Sequence, residues 1–185
     1  MSEAIRSKKD LKLLLEYLKR KNYTLYCIFT FGLYTGLRIS DILKVKIKEL
    51  DADFLYIKEK KTGKKKVIPL SKEIKELLTD YIEVYRNISD TDFIFISQKH
   101  TPYNRCSIYK MLVQACNECK INVQIGTHTM RKTFGYHHYK KFKDVAILQR
   151  IFNHSSPMIT LTYIGIAQDE INNSYMNFDL LNEVA

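Results

Sequence analysis

A histidine and an arginine stand three residues apart in the stretch THTMRK, at His128 and Arg131. Residues at this spacing are neighbours on a helix surface, so both side chains are expected on one face. Such a pair belongs either to a solvated helix face or to a site for an anion. A guanidinium binds phosphate oxygens through paired, charge-assisted hydrogen bonds, so the rest of the chain decides between the two interpretations.

Four more polar residues stand where a chain break or a helix start exposes them: Arg38, Lys61, His154 and Tyr163. Two arginines can grip a phosphodiester and stabilise the extra charge on five-coordinate phosphorus. A phenol can attack phosphorus and leave a covalent phosphotyrosine, and a lysine or histidine can protonate the departing sugar oxygen. No carboxylate cluster in the sequence has metal-ligand spacing, so the set predicts metal-free strand cleavage without a cofactor.

Composition and charge favour a polyanionic partner. The 185 residues carry 30 Lys and Arg against 20 Asp and Glu, a net charge of +10 that suits nucleic acid.

No secretory signal and no apolar run of about 18 residues occurs, which predicts a cytoplasmic protein without a membrane span. Cys116 and Cys119 form a CxxC without a second ligand pair, so two partly buried thiols are expected rather than zinc ligands.

Periodicity predicts a mainly helical chain with one hairpin. Ser7 and Asp10 resemble a capping box before KKDLKLLLEYLKR, and a second helix is expected to break at Gly36. The β-rich runs ADFLYIKEK and KKVIPLS flank KTG and predict a hairpin, whereas TDFIFIS fits a short strand or a buried connector. The other apolar runs have helical spacing, and no linker divides the chain, so a single α+β domain is expected.

Four stretches resemble, in sequence order, the signature boxes of the tyrosine recombinases, which include phage integrases and Xer-type recombinases. They are TGLRISDIL, KTGKKKVIPLS, HTMRKTFG and FNHSSPMITLTYIGI, and the resemblance spans Leu11 to Ile166. Asn153 departs from the family pattern, which has glycine there. The resemblance implies the tyrosine-recombinase catalytic fold over 1–185, with 1–166 as its core and 167–185 as a C-terminal tail.

By this resemblance, Tyr163 is the nucleophile that joins a DNA 3′ phosphate. Arg38 and Arg131 clamp the scissile phosphate, and His154 hydrogen-bonds one of its oxygens. The phosphotyrosyl bond keeps the energy of the broken phosphodiester, so rejoining needs neither ATP nor metal. Tyr136, Tyr139 and Tyr175 are the nearest rival tyrosines.

The resemblance makes Lys61 the acid for the 5′ hydroxyl, although Lys60 competes for that role on the same hairpin. It gives His128 a part in proton transfer or phosphate positioning, and it makes Asp41 a carboxylate that orients Arg38. Basic side chains beside these boxes are expected to follow the DNA backbone: Lys60, Lys64, Lys65 and Lys132.

The first box begins near residue 35, so the sequence predicts that the family's N-terminal core-binding domain is absent. In the family the C-terminal tail is often exchanged within a tetramer on DNA; packing on its own domain is the alternative. The expected function is integration or excision of a mobile element or phage, in a prokaryote or encoded by a phage. A type IB topoisomerase-like enzyme and a non-catalytic DNA-binding relative remain the alternatives.

Overall fold

The computed structural model describes residues 2–50, 53–58, 63, 65–85, 93–97, 99 and 101–178. The chain divides into two compact units, Met1–Phe134 and Gly135–Ala185. The helices of the described residues are α1 (Lys8–Lys21), α2 (Tyr23–Thr35), α3 (Ile39–Ile42), α4 (Lys72–Tyr85), α5 (Arg105–Glu118), α6 (Thr129–Phe142), α7 (Val145–Phe152), α8 (Pro157–Ile164) and α9 (Ile166–Asn177). The strands are β1 (Phe54–Lys58) and β2 (Lys65–Pro69), which makes the predicted α+β, mainly helical class correct.

Polar side chains mark where several helices begin. Ser7 accepts the N–H of Asp10 at the start of α1, as the sequence predicted, and Asn22 accepts the N–H of Leu25 at the start of α2. These bonds satisfy amides that the first helical turn leaves without a partner. Helix α2 ends at Gly36 with φ +61°, which confirms the predicted break before Arg38.

Strands β1 and β2 pair antiparallel, with Phe54 opposite Pro69 and Lys58 opposite Lys65. The predicted hairpin is therefore present, although most of its turn lies outside the described residues. Residues 93–97 form isolated bridges rather than a strand, and Phe95 is fully buried. This segment is the buried connector that the sequence left as one of two alternatives.

The core of the first unit is apolar and rich in aromatic rings. The ring of Phe95 packs against Phe31 and Tyr81, with centroids 6.0 and 5.4 Å apart. Helices α1 and α5 add Leu14 and Leu112, both buried. These contacts join elements far apart in the sequence, so the short helix α3 and the segment before it rest on a packed core.

The second unit contains the end of α6 and helices α7 to α9. Asp144 caps α7, whose apolar side buries Leu148 and Phe152. In α9 and just after it, Tyr175, Met176 and Phe178 are 70–85% exposed. Among the described residues, no helix is long and apolar enough to cross a membrane.

We predict that Gly36→Ala destabilises the fold more than the same change at Gly63. Both glycines have positive φ, which costs an alanine about 1–2 kcal/mol. A Cβ at Gly36 would also lie 2.5 Å from the ring of Phe134, whereas no neighbour among the described residues lies within 4 Å of a Cβ at Gly63. Overpacking adds about 1–3 kcal/mol at Gly36. Urea unfolding of both variants measures the difference, and equal midpoints would contradict it.

Candidate active site

Arg38 lies at the N-terminus of α3, just after the break at Gly36. Its side chain is 17% exposed, and Nη1 stands 3.9 Å from Oδ2 of Asp41, whose side chain is 4% exposed. The structure thus brings Arg38 and Asp41 together, as predicted. At this distance the two groups attract each other without a hydrogen bond, which favours a guanidinium position near the carboxylate.

Arg131 is the third residue of α6, and only 2% of it is exposed. Its Nη1 donates a hydrogen bond to the carbonyl oxygen of Gly36. Gly36 stands two residues before Arg38, so this bond ties the Arg131 side chain to the segment that carries Arg38. Phe134 reinforces the same contact, because its ring lies directly against Gly36.

His128 lies in the turn before α6 and is exposed, rather than inside the helix as its spacing had suggested. Its carbonyl accepts the N–H of Lys132, so it occupies the position that precedes the first helical residue. The helix starts here because Gly126 and Thr129 bond reciprocally: Gly126 N–H donates to Thr129 Oγ1, and Thr129 N–H to the Gly126 carbonyl. His128 and Arg131 still lie within one turn of each other.

His154 and Tyr163 lie in the second unit. His154 follows α7, which ends at Asn153 with φ +55°. Asparagine tolerates this left-handed conformation better than other residues with a side chain, which explains how Asn153 replaces the family's glycine. The His154 N–H and carbonyl both bond to Gln149, through its carbonyl oxygen and side-chain amide respectively.

The His154 ring is oriented by Thr160, with Nδ1 and Oγ1 3.1 Å apart. Thr160 is fully buried, and its hydroxyl also lies 3.3 Å from the Ser156 carbonyl. The hydroxyl has one proton: when it donates to the Ser156 carbonyl, Nδ1–H of His154 donates to Oγ1, and when it donates to Nδ1, a neutral ring keeps its proton on Nε2. In the second arrangement, or when the ring carries both protons, Nε2 can donate to a phosphate oxygen.

Tyr163 lies in the last turn of α8 and is half-buried. Its ring meets the edges of His154 and Phe152, with centroids 5.2 and 5.6 Å away. Ser156 caps α8 and Pro157 begins it, so the helix that carries Tyr163 starts at a fixed point. The second unit thus brings a phenol and an imidazole into contact.

The predicted lysines have different surroundings. Lys65 is exposed on β2. Lys132, expected to follow the DNA backbone, is instead 9% exposed, because it lies among residues of the first unit. Burial lowers the pKa of Lys132, attraction to Glu3 opposes that effect and repulsion from Arg6 adds to it. Lys60, Lys61 and Lys64 lie outside the described residues.

Two residues that matter to this geometry were not predicted from the sequence as site residues. The Gly36 carbonyl accepts a hydrogen bond from Arg131, and the Thr160 hydroxyl orients the His154 ring. Spacing could have indicated Thr160, because it lies one turn before Tyr163 on the same helix. No local pattern indicates the first contact, since it joins residues 95 positions apart.

The sequence predicted that Cys116 and Cys119 are partly buried thiols. Cys116 is buried and Cys119 partly so, and both are free thiols. Burial raises the pKa of Cys116 to about 11 and also raises that of Cys119. Within the described part of the chain, no group of three or more His, Cys, Asp or Glu could hold a metal ion.

Comparisons with known proteins identify the family of this chain. The model of the phage integrase family matches residues 6–170. The chain is 40% identical to the probable integrase/recombinase YoeC of Bacillus subtilis over 178 residues, which cover 95% of this chain and 96% of YoeC. It is 26% identical to the tyrosine recombinase XerD of Staphylococcus saprophyticus, over 78% of this chain and 50% of XerD.

Among solved structures, the XerH site-specific recombinase in its post-cleavage complex with a palindromic difH substrate has the same fold. The TM-score is 0.77 at 20% identity, over 95% of this chain and 53% of the XerH chain. The chain thus spans about half the length of XerD and of XerH, and nearly all of YoeC. A family match over most of the chain and a 40% identical relative lead to one conclusion: this chain belongs to the phage integrase family, the family of the tyrosine recombinases.

Proposed function

We propose that this chain is a site-specific recombinase that cuts and rejoins double-stranded DNA through a 3′-phosphotyrosine on Tyr163. The observation that supports this most is the bond from Arg131 to Gly36, because it ties the two arginine segments together. Two guanidiniums held in this way can bind the non-bridging oxygens of five-coordinate phosphorus, which together carry two negative charges during the attack. The six predicted residues act as one catalytic set in this proposal.

In the cleavage step the Tyr163 oxygen forms a bond to phosphorus, and the bond from phosphorus to the 5′ oxygen breaks. The phenol loses its proton, and the departing 5′ oxygen gains one, so charge balances over the step. Lys61 is the proposed acid for that oxygen, with Lys60 as its rival, and His128 assists the transfer. Attack by a 5′ hydroxyl on the phosphotyrosine then reverses the step and joins the strands.

Arg38 and Arg131 hold the non-bridging oxygens during both steps, and His154 donates to one of them from Nε2. Asp41 keeps the Arg38 guanidinium aimed, as their 3.9 Å ion pair suggests. Thr160 has the matching role toward His154. Each arginine then contributes a charge that is most useful when phosphorus carries its extra negative charge.

The proposed substrate is duplex DNA, in line with the net charge of +10 and with the DNA-bound XerH of the same fold. The natural assembly is a tetramer on DNA in which the tail binds a neighbouring protomer. The exposed Tyr175, Met176 and Phe178 support this, since they leave apolar surface available for a partner. We place the protein in the bacterial cytoplasm, acting in integration or excision of a mobile element or phage.

Cleavage is expected to continue unchanged in excess EDTA. The guanidinium groups of Arg38 and Arg131 supply the positive charge that a metal ion provides in other phosphoryl transfers. The measurement is relaxation of a supercoiled plasmid, with protein-linked DNA detected after denaturation. A loss of both signals in EDTA that returns with added Mg²⁺ would refute the metal-free mechanism.

A further inference from the structure

The segment Ser2–Arg6, which we call the strap, contacts α6 at Thr133. The Glu3 N–H donates to the Gln124 carbonyl at 2.8 Å, and the Gln124 N–H donates to the Glu3 carboxylate at 3.2 Å. Ile5 is fully buried, and Ala4 nearly so. The strap is therefore packed into the first unit at Ala4 and Ile5 and bonded to it at Glu3, whereas the side chains of Glu3 and Arg6 are exposed.

The strap meets α6 through one threonine. The Ile5 N–H donates to Thr133 Oγ1 at 2.9 Å, and the Thr133 hydroxyl donates to the Thr129 carbonyl at 2.8 Å. Thr129 and Thr133 are both fully buried, on the first two turns of α6. Thr129, the last residue in this series of bonds, directly follows His128. Arg131 lies between Thr129 and Thr133 in the sequence.

The loop before α6 is held in the same way. A Cβ added at Gly126 would lie 2.4 Å from Cβ of Ser2, so glycine is needed for the strap to pass. Gly126 in turn bonds reciprocally with Thr129. Glu3 also attracts the buried Lys132, the residue that follows Arg131.

We propose that Thr133 and the strap form a positioning device for the His128 and Arg131 pair. On one side of α6, Arg131 and Phe134 contact Gly36, next to Arg38. On the other side, the strap fixes the first two turns through Thr133 and the preceding loop through Ser2 and Glu3. The helix start thus has contacts on two sides, which sets the direction in which His128 and Arg131 meet a phosphate. This role rests on the proposed function.

Thr133→Val tests the role, because valine keeps the shape of threonine and removes the hydroxyl. It leaves the buried Ile5 N–H without its acceptor, so the strap loosens. We expect cleavage to slow by about 10- to 100-fold, the effect of a small displacement of catalytic groups, with DNA affinity unchanged. Thr133→Ser keeps the hydroxyl and is expected to restore most of the rate.

A second substrate distinguishes positioning from a general loss of stability. The DNA sequence that wild-type protein cleaves is first identified from DNA that stays attached after denaturation. It is then synthesised with either a phosphodiester or a neutral methylphosphonate at the scissile position. The methylphosphonate lacks one negative charge and depends less on Arg131, so the deficit of Thr133→Val should shrink on it.

Ile108→Val is the matched control, because Ile108 is buried in the core of the first unit and a shortened side chain there costs about 1 kcal/mol. An equal deficit on both substrates, shared by Ile108→Val, would overturn the positioning role. So would wild-type cleavage by Thr133→Val. Wild-type protein that forms no adduct would overturn the proposed function first, and this role with it.

Discussion

Tyr163→Phe is expected to abolish covalent protein–DNA adducts while DNA binding stays within about threefold of wild type, since phosphate contacts dominate affinity. The phenyl ring of phenylalanine keeps the edge contacts to His154 and Phe152, so the fold of the second unit should be unchanged. Only the attacking oxygen is lost. Removal of a covalent nucleophile typically costs at least about 10⁴-fold in rate.

The measurement combines two observations on the same reactions. Plasmid relaxation reports strand cleavage and rejoining, and denaturing gels report DNA that remains attached to protein. In wild-type adducts, protease digestion and mass spectrometry should place the nucleotide on the peptide that contains Tyr163. If Tyr163→Phe still binds DNA, the adduct is lost because the attacking oxygen is missing and not because the protein fails to bind DNA.

The rival tyrosines provide matched controls. Tyr136 and Tyr139 lie on α6, beside Lys140 and Lys143 respectively, and Tyr175 is 82% exposed on α9. Phenylalanine at each of these three positions should leave adducts intact. An adduct that persists in Tyr163→Phe and disappears in one of the other three would move the nucleophile to that residue.

Local patterns were enough to predict most elements of this fold. The Ser7 cap and the break at Gly36 follow from residue type alone, because few residues suit a cap or a left-handed backbone. The hairpin follows from alternating β-rich runs. The separation of α8 from α9 was not predicted, although Gly165, with φ +77°, explains it.

The residues that support the candidate site were not predicted from the sequence. His128, Arg131, His154 and Tyr163 were identified by order and spacing, which a family pattern preserves. The burial of Lys132 was not predicted, because α6 mixes apolar and polar residues without a clear stripe. The strap was missed for a related reason: an apolar pair such as Ala4 and Ile5 is too short to predict packing.

Arg131→Ala is expected to slow cleavage by about 10³-fold, because loss of one transition-state contact costs about 3–4 kcal/mol. Arg131→Lys should recover only part of the rate, since an ammonium keeps the charge but cannot bind two oxygens with a planar fork. The rates are measured as adduct formation in a single turnover, at DNA concentrations that saturate binding. Arg20→Ala, an exposed arginine at the end of α1, is the control for lost charge.

The structure predicts that Arg131→Ala also loosens the segment that carries Arg38. The Gly36 carbonyl loses the donor that Arg131 supplies, while the contact between Phe134 and Gly36 remains. The double variant Arg38→Ala/Arg131→Ala should therefore be less impaired than the product of the two single effects, since Arg131→Ala alone already disturbs the position of Arg38. Multiplicative effects in this cycle would show that the two guanidiniums act independently, and that the bond to Gly36 supports structure but not catalysis.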